Sequence, residues 1–318
     1  MDDVEQFCCG NSICCEGLPI STLSTNIIPW LVTQNRDHNG IVNVYTIDEQ
    51  PSNYRCRIPE LQQLGGVFIH GVSHGWMILS NNDVMWSLWN PVTSKLIRLP
   101  PLPHKDDSDR IGYCCLPSPP GDPSSILLLT RAEKPNFVFC RCSNKRKKSR
   151  SRWTEMSYAK QLKRVMGGDY DEDDLLYCLT CCNGKVYALL CYAIFVVQID
   201  IKVVKDKQVV ISILPFQKYP TPYFHTIIPH FYVLKGTGTE LFAITGRFDA
   251  PAAGVYLFKL DMTTTTTHDD DTTWEEINDL KDAVFFVDLF NTVTVSYIPA
   301  VASGLGGYVH VRDDVVPC

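Results

Sequence analysis

Ser73 to Pro103, SHGWMILSNNDVMWSLWNPVTSKLIRLPPLP, is the stretch whose reading sets the architecture. An apolar run, Trp76 to Leu79, follows a Gly-Trp opening and ends in the polar turn Ser80-Asn81-Asn82-Asp83. A second run, Val84 to Trp89, leads through Asn90-Pro91 into Lys95-Leu96-Ile97-Arg98-Leu99, which prolines stop. Short apolar runs bounded by turn residues, with no helical period, predict an antiparallel β-meander.

The same pattern recurs along the chain. Five outer hairpins can be laid side by side: Ile41–Ile58, Val84–Leu99, Asn136–Met156, Ile194–Leu214 and Val255–Ile277. Between them lie pairs of a different kind, with Val67–Ile69 before Trp76–Leu79 and Ile111–Cys115 before Ile126–Thr130. Leu175–Thr180 precedes Val186–Leu190 across Asn183-Gly184, and Phe231–Leu234 precedes Leu241–Thr245. A last set runs through Val284–Val287 or Val293–Tyr297 to Tyr308–Val311. Four strands recurring roughly every 45–60 residues predict an all-β fold, a β-propeller of five or six four-stranded blades. The first hairpin lacks an inner pair and the last inner pair lacks a hairpin. The expected ring is therefore closed by N- and C-terminal strands that share one blade, which removes exposed sheet edges. An open sandwich with the same strands is the competing architecture.

Residues 1–26 show no periodicity and read as a disordered N-terminal tail; residues 27–318 read as one β-propeller domain. At 318 residues, 45% hydrophobic, the chain is long enough for a large core. A net charge of −6 argues against nucleic acid as a partner. No apolar run approaches the ~20 residues of a membrane span, and MDDVEQFCCG lacks the order of a signal peptide, so a cytoplasmic or nuclear monomer is expected. The fourteen cysteines are then reduced thiols. Cys140, Cys178 and Cys191 stand in apolar runs, and the neighbours Cys114-Cys115 and Cys181-Cys182 must point to opposite faces of their strands.

Few residues point to chemistry. Gly71-Val72-Ser73-His74-Gly75 matches the G-x-S-x-G elbow of hydrolases, and a loop-built hydrolase site around Ser73 and His74 is the alternative to a binding role. That elbow needs a helix directly behind the serine, whereas a strand follows here. His70 and His74 alternate along one strand without a third ligand. Cys8-Cys9 with Cys14-Cys15 lacks paired CxxC knuckles, and neither His268-Asp269-Asp270-Asp271 nor the acidic run near Asp171 has the ligand spacing of a calcium loop. No catalytic residue, metal site or cofactor is expected. Lys145, Arg146, Lys147, Lys148, Arg150 and Arg152 form a basic run that reads either as a nuclear-import address or as a solvated hairpin tip.

Several motifs together resemble the plant F-box-associated β-propeller of the KIB type. They are Pro29-Trp30-Leu31, Ser73-His74-Gly75-Trp76 and Leu88-Trp89-Asn90-Pro91 running into Leu99-Pro100-Pro101-Leu102-Pro103. Asn183-Gly184-Lys185-Val186-Tyr187, Trp274-Glu275-Glu276-Ile277 and Ala283-Val284-Phe285-Phe286-Val287 complete the likeness, which spans about residues 27–312. The resemblance implies a kelch-like, non-enzymatic module that holds a protein substrate for an SCF-type ubiquitin ligase. Members of that family commonly carry an N-terminal F-box that docks on Skp. Residues 1–26 are too short for its helices, so direct Skp or cullin binding is not expected, and the chain reads as a truncated paralogue.

Overall fold

The computed structural model describes residues 3–8, 30–34, 41–46, 53–57, 67–81, 84–90, 93, 95–103, 109–142, 152–167, 174–190, 195–204, 208–220, 230–247, 255–262, 273–281, 283–288, 294–298 and 307–312. These residues form six sheets. The first contains β1 (Asp3–Cys8), β2 (Trp30–Gln34), β3 (Ile41–Thr46) and β4 (Asn53–Arg57). The second is β5 (Val67–Ser73), β6 (Trp76–Asn81), β7 (Met85–Asn90) and β8 (Lys95–Arg98). The third holds β9 (Ile111–Cys115), β10 (Ile126–Arg131), β11 (Asn136–Arg141) and β12 (Thr154–Ser157). In the fourth are β13 (Leu176–Cys182), β14 (Lys185–Leu190), β15 (Phe195–Val203) and β16 (Val209–Lys218). The fifth comprises β17 (His230–Gly236), β18 (Glu240–Arg247), β19 (Val255–Asp261) and β20 (Glu275–Glu276). The first five are antiparallel meanders in chain order, and all five expected outer hairpins are their third and fourth strands.

The sixth sheet departs from the pattern. It has the order β22 (Thr294–Ile298), β21 (Val284–Asp288), β23 (Val309–Arg312), with β21 and β23 parallel. The expectation that N- and C-terminal strands share a closing blade is thus corrected among the described residues. The first hairpin pairs with β2, β2 pairs with β1, and β23 pairs with β21. The reason is that β1 and β2 already supply the hairpin's inner partners. Asp3–Cys8 lies inside the stretch read as a loose tail, and it pairs with Trp30–Gln34 across a register shift between Val4 and Phe7.

Second strands carry the core. All six residues of β10 are buried, as are six of eight in β18 and the last five of β14. Alternate residues face opposite neighbours. Ile126 and Leu128 pack with Val186, Ala188 and Leu190 of the fourth sheet, whereas Leu127 and Leu129 pack with Ile78 and Leu88 of the second. Likewise Tyr187 and Leu189 turn to Phe231 and Leu241 of the fifth sheet, whose own cluster reaches Phe285 and Val287 of the sixth. A sheet covered on both faces needs continuous apolar strands, and this excludes the sandwich, which would leave one face in water. The first strands of the first five sheets touch in series, β1 to β5 to β9 to β13 to β17, and β17 touches the edge strand β22 of the sixth.

Two pegs recur between sheets. The Trp153 indole Nε1–H donates to the Pro100 carbonyl (2.6 Å), and Trp274 donates to the Lys218 carbonyl (2.9 Å). Each tryptophan immediately precedes the fourth strand or its equivalent and reaches the end of the previous sheet's fourth strand. In the same way, Tyr158 and Tyr219 follow a fourth strand and reach the next sheet. Tyr158 Oη accepts from Leu176 N–H (3.2 Å), while Tyr219 Oη–H lies 2.9 and 2.7 Å from the Val233 and Ile244 carbonyls. Burial pushes the Tyr219 phenol well above its ordinary range, so it stays a donor.

One helix escaped the sequence reading: α1 (Ala159–Met166), anchored by the buried Leu162. Its Gln161 side chain donates to the Ile211 carbonyl (3.1 Å) and accepts from Ile213 N–H (2.8 Å). The amide thereby occupies the open edge of β16 as another strand would. A polar network also spans the third sheet, where the buried Arg131 holds Glu155 through two hydrogen bonds (3.2 and 2.8 Å) and donates to the Asp109 carbonyl. The Arg131 hydrogen bonds hold the Glu155 carboxyl below the ordinary range, helped by Asn136 and opposed by partial burial and Asp109.

Two tests follow. Tyr219→Phe leaves buried backbone carbonyls without their partner and is expected to lower unfolding free energy by about 1–3 kcal/mol, read by urea denaturation. Glu155 has a folded-state pKa below its unfolded one, so its contribution is present above the unfolded value and lost as pH falls through the folded value. The stability gap between wild type and Glu155→Gln should therefore narrow as pH drops below about 4.5. A constant gap down to full protonation would contradict the pairing.

Candidate functional site

The first strands of the middle sheets run the same way. Ser73, ending β5, donates its hydroxyl to the Leu116 carbonyl just past β9 (2.9 Å). Gly236 N–H, ending β17, donates to Thr180 Oγ1 on β13 (2.7 Å). Cysteine thiols add longer contacts, Cys114 to the His70 carbonyl and Cys178 to the Tyr232 carbonyl, both 3.7 Å. Since these first strands share one direction, the third-to-fourth-strand connections leave the four middle meanders at the same end as their first-to-second turns.

At that end lie two tight turns that the sequence marked. His74 and Gly75 have φ of 52° and 74°, and Asn183 and Gly184 have 48° and 70°. Left-handed values at both central residues make two-residue hairpin turns, which explains the Asn-Gly and His-Gly pairs. The G-x-S-x-G motif is accordingly a strand, a hairpin turn and another strand. Ser73 is engaged with Leu116, and His74 is exposed in the turn. His70 does not join them: its Nε2 lies 2.6 Å from Ser80 Oγ, and its ring lies 4.6 Å from Trp86. Of the basic run, Arg152 is described and exposed; Lys145, Arg146, Lys147, Lys148 and Arg150 lie outside the described residues, as does His268-Asp271. Among the described residues no three His, Cys, Asp or Glu side chains stand together as metal ligands, and no helix is long and apolar enough to cross a membrane.

Between β5, β9, β13 and β17 lies a cavity of about 150 Å³. His70, Ser73, Tyr113, Cys181 and Lys235 contribute to its wall. The adjacent cysteines alternate as strand geometry requires. Cys114 turns to the second sheet and Cys115 meets Cys181 across the third-to-fourth boundary, while Cys182 reaches the Glu240 carbonyl of the fifth sheet (3.2 Å). Cys114, Cys115, Cys140, Cys142, Cys178, Cys181 and Cys182 are thiols, not disulfides. Burial raises Cys140 to about 12 and Cys142 and Cys182 to about 11, and the Cys181 contact followed by burial raises Cys115. These are packing groups that carry almost no thiolate at neutral pH. Lys235 was not singled out by the sequence. It is half-buried and contributes to the cavity wall, and its side-chain amine has no hydrogen bond or ion pair among the described residues. Desolvation lowers its amine pKa, partly offset by Cys181.

Antiparallel meanders set side by side around touching first strands define a β-propeller. The chain belongs to the KIB1-4 beta-propeller family, whose model matches residues 44–305. No curated protein matches the sequence. Among solved structures, the crystal structure of a protein from Lactobacillus plantarum aligns over 88% of this chain and 83% of that chain, at 10% identity and a TM-score of 0.39.

The wall is tightest at Gly236, where an added Cβ would stand 2.2 Å from the Cys181 carbonyl oxygen. Gly236→Ala must force β13 and β17 apart and should cost at least about 2 kcal/mol, measured by thermal and urea unfolding. An unchanged midpoint would show that the two strands do not pack this closely.

Proposed function

We propose that this chain is a non-enzymatic recognition module that holds a protein partner at the end of the propeller where the third-to-fourth-strand connections emerge. The observation that carries the reading is the union of a stiff scaffold with variable connections at one end. Intersheet layers and the paired Trp and Tyr pegs fix the strands. The connections from β11 to β12 and from β19 to β20 contain Lys145–Arg152 and MTTTTTHDDDTT, two segments of opposite charge character. Rigid elements presenting dissimilar loops suit recognition of a broad protein surface. The geometry around Ser73 supports a binding role over the hydrolase alternative, because its hydroxyl donates to the Leu116 carbonyl and, among the described residues, no hydrogen bond joins it to a histidine.

Within that role we place the chain as the substrate-receiving half of an SCF-type ubiquitin ligase, closed as a ring and acting as a monomer in the cytoplasm or nucleus. The support is the KIB-type resemblance and the family match. Affinity capture of the full chain from plant cells, paired with a variant in which Lys145, Arg146, Lys147, Lys148, Arg150 and Arg152 are changed to Ser, tests it. The expected outcome is a stoichiometric protein partner whose recovery falls at least tenfold in the variant at unchanged Tm. Identical partner sets for both proteins would remove the basic connection from the interface. Reconstitution with Skp and cullin then asks whether the captured partner is ubiquitinated.

A further inference from the structure

Lys235 occupies an unusual place for a lysine. It lies near the end of the first strand of the fifth sheet and contributes to the wall of the cavity shared by four sheets. A lysine at a strand end normally carries its amine to water or to a carboxylate. Among the described residues this amine has neither a hydrogen bond nor an ion pair, and no Asp or Glu contributes to the cavity wall. The Cys181 thiol acts on it, and Thr180 and Tyr113, both uncharged, contribute to the same wall. An ammonium held partly out of water with no counter-charge beside it makes the cavity favourable to an anion. β5, β9, β13 and β17 are each paired within their sheets on one side only, so their open edges bring peptide N–H and C=O groups to the wall.

We propose that this cavity is a binding site for one small free oxyanion, a carboxylate or phosphate, held by the Lys235 amine. A volume of about 150 Å³ accommodates a ligand of about six non-hydrogen atoms, the size of benzene in an apolar cavity of that volume. The lowered amine pKa agrees with this assignment, because an anion that pairs with the ammonium draws the proton back on binding. Binding accordingly weakens as pH rises through the liganded amine's pKa. His70, Tyr113, Cys114, Cys115, Cys178 and Cys181 are the other titratable groups of the wall. None of them supplies a fixed charge that replaces the amine.

The test uses the full chain grown with lysine carrying ¹³C at Cε, so that each amine reports in a proton–carbon spectrum without chemical modification. Lys235→Arg identifies the Lys235 signal by its loss, and Lys235→Met removes the charge. Inorganic phosphate and acetate are titrated separately at constant ionic strength, with chloride as the control. In the wild type, the Lys235 signal should titrate below the other lysines. It should shift saturably with at least one of the two anions, and its titration midpoint should move upward when that anion is bound. Apparent affinity, read in parallel by calorimetry, should fall at least tenfold in Lys235→Met. A Lys235 signal that titrates with the surface lysines, or that shifts no more with phosphate or acetate than with chloride, overturns the proposal. So does undiminished calorimetric binding in Lys235→Met. Should that variant fail to fold, the wild-type signal decides alone, by saturating or not.

Discussion

Two-sided burial of the second strands is the constraint on which the rest of the structure depends. Ile126 to Arg131 is buried throughout, with odd and even residues given to different neighbouring sheets. No single sheet of this kind is stable alone, since each would expose an apolar face on both sides. Stability is therefore shared between neighbours, and the first strands come together as a consequence. The cavity wall is what remains where those strands meet without interdigitating side chains. Gly236 is needed where β13 and β17 approach most closely.

Much of this was legible because strands record their own surroundings. ILLLTR and WMILSN each open on an unbroken apolar run of four, which suits a strand covered on both faces, while KLIR and TEMS hold only exposed and half-buried positions because they lie at the rim. The Asn183-Gly184 turn was equally readable, since its backbone values favour those residues. Trp153-Thr154-Glu155 and Trp274-Glu275-Glu276 advertised a repeated role, though not that each indole reaches back to the preceding sheet.

What escaped the sequence reading depends on where separate segments meet. DVEQFC carries too little alternation to be distinguished from a polar tail, and its pairing is set by β2, more than twenty residues away. AKQLKRVM is short and begins after a strand, so its helical pattern had no room to accumulate. Lys235 sits in HFYVLKG, where it reads as the polar end of a strand. Nothing local says that this end faces a cavity built with β5 and β9, whose residues lie more than a hundred positions earlier. The closing of the ends was misjudged for a related reason. Counting complete hairpins from Ile41 onward assumes that no strand precedes it, and the described pairing of β1 with β2 removes that assumption.

The distribution of burial also explains why recognition is best sought at one end of this fold. Two fourth strands contribute little to the intersheet layers: β12 has no buried residue and β20 consists of two exposed glutamates, whereas β16 gives Ile211 and Ile213 to the core. Changing the length or charge of a connection leading to such a strand leaves the core nearly untouched, and longer loops add closure entropy only logarithmically. The pegs at Trp153 and Trp274 then matter more than the strands they precede. They fix where each connection rejoins the body, so that a segment as basic as Lys145–Arg152 starts and ends at defined points whatever it holds. First strands are under the opposite constraint. β5, β9, β13 and β17 each touch two neighbouring sheets and the cavity, so a change there is felt by three sheets at once. Variation is thus permitted at the rim and restricted at the axis, and this division separates the surface suited to a protein partner from the small, stiff cavity suited to a single anion.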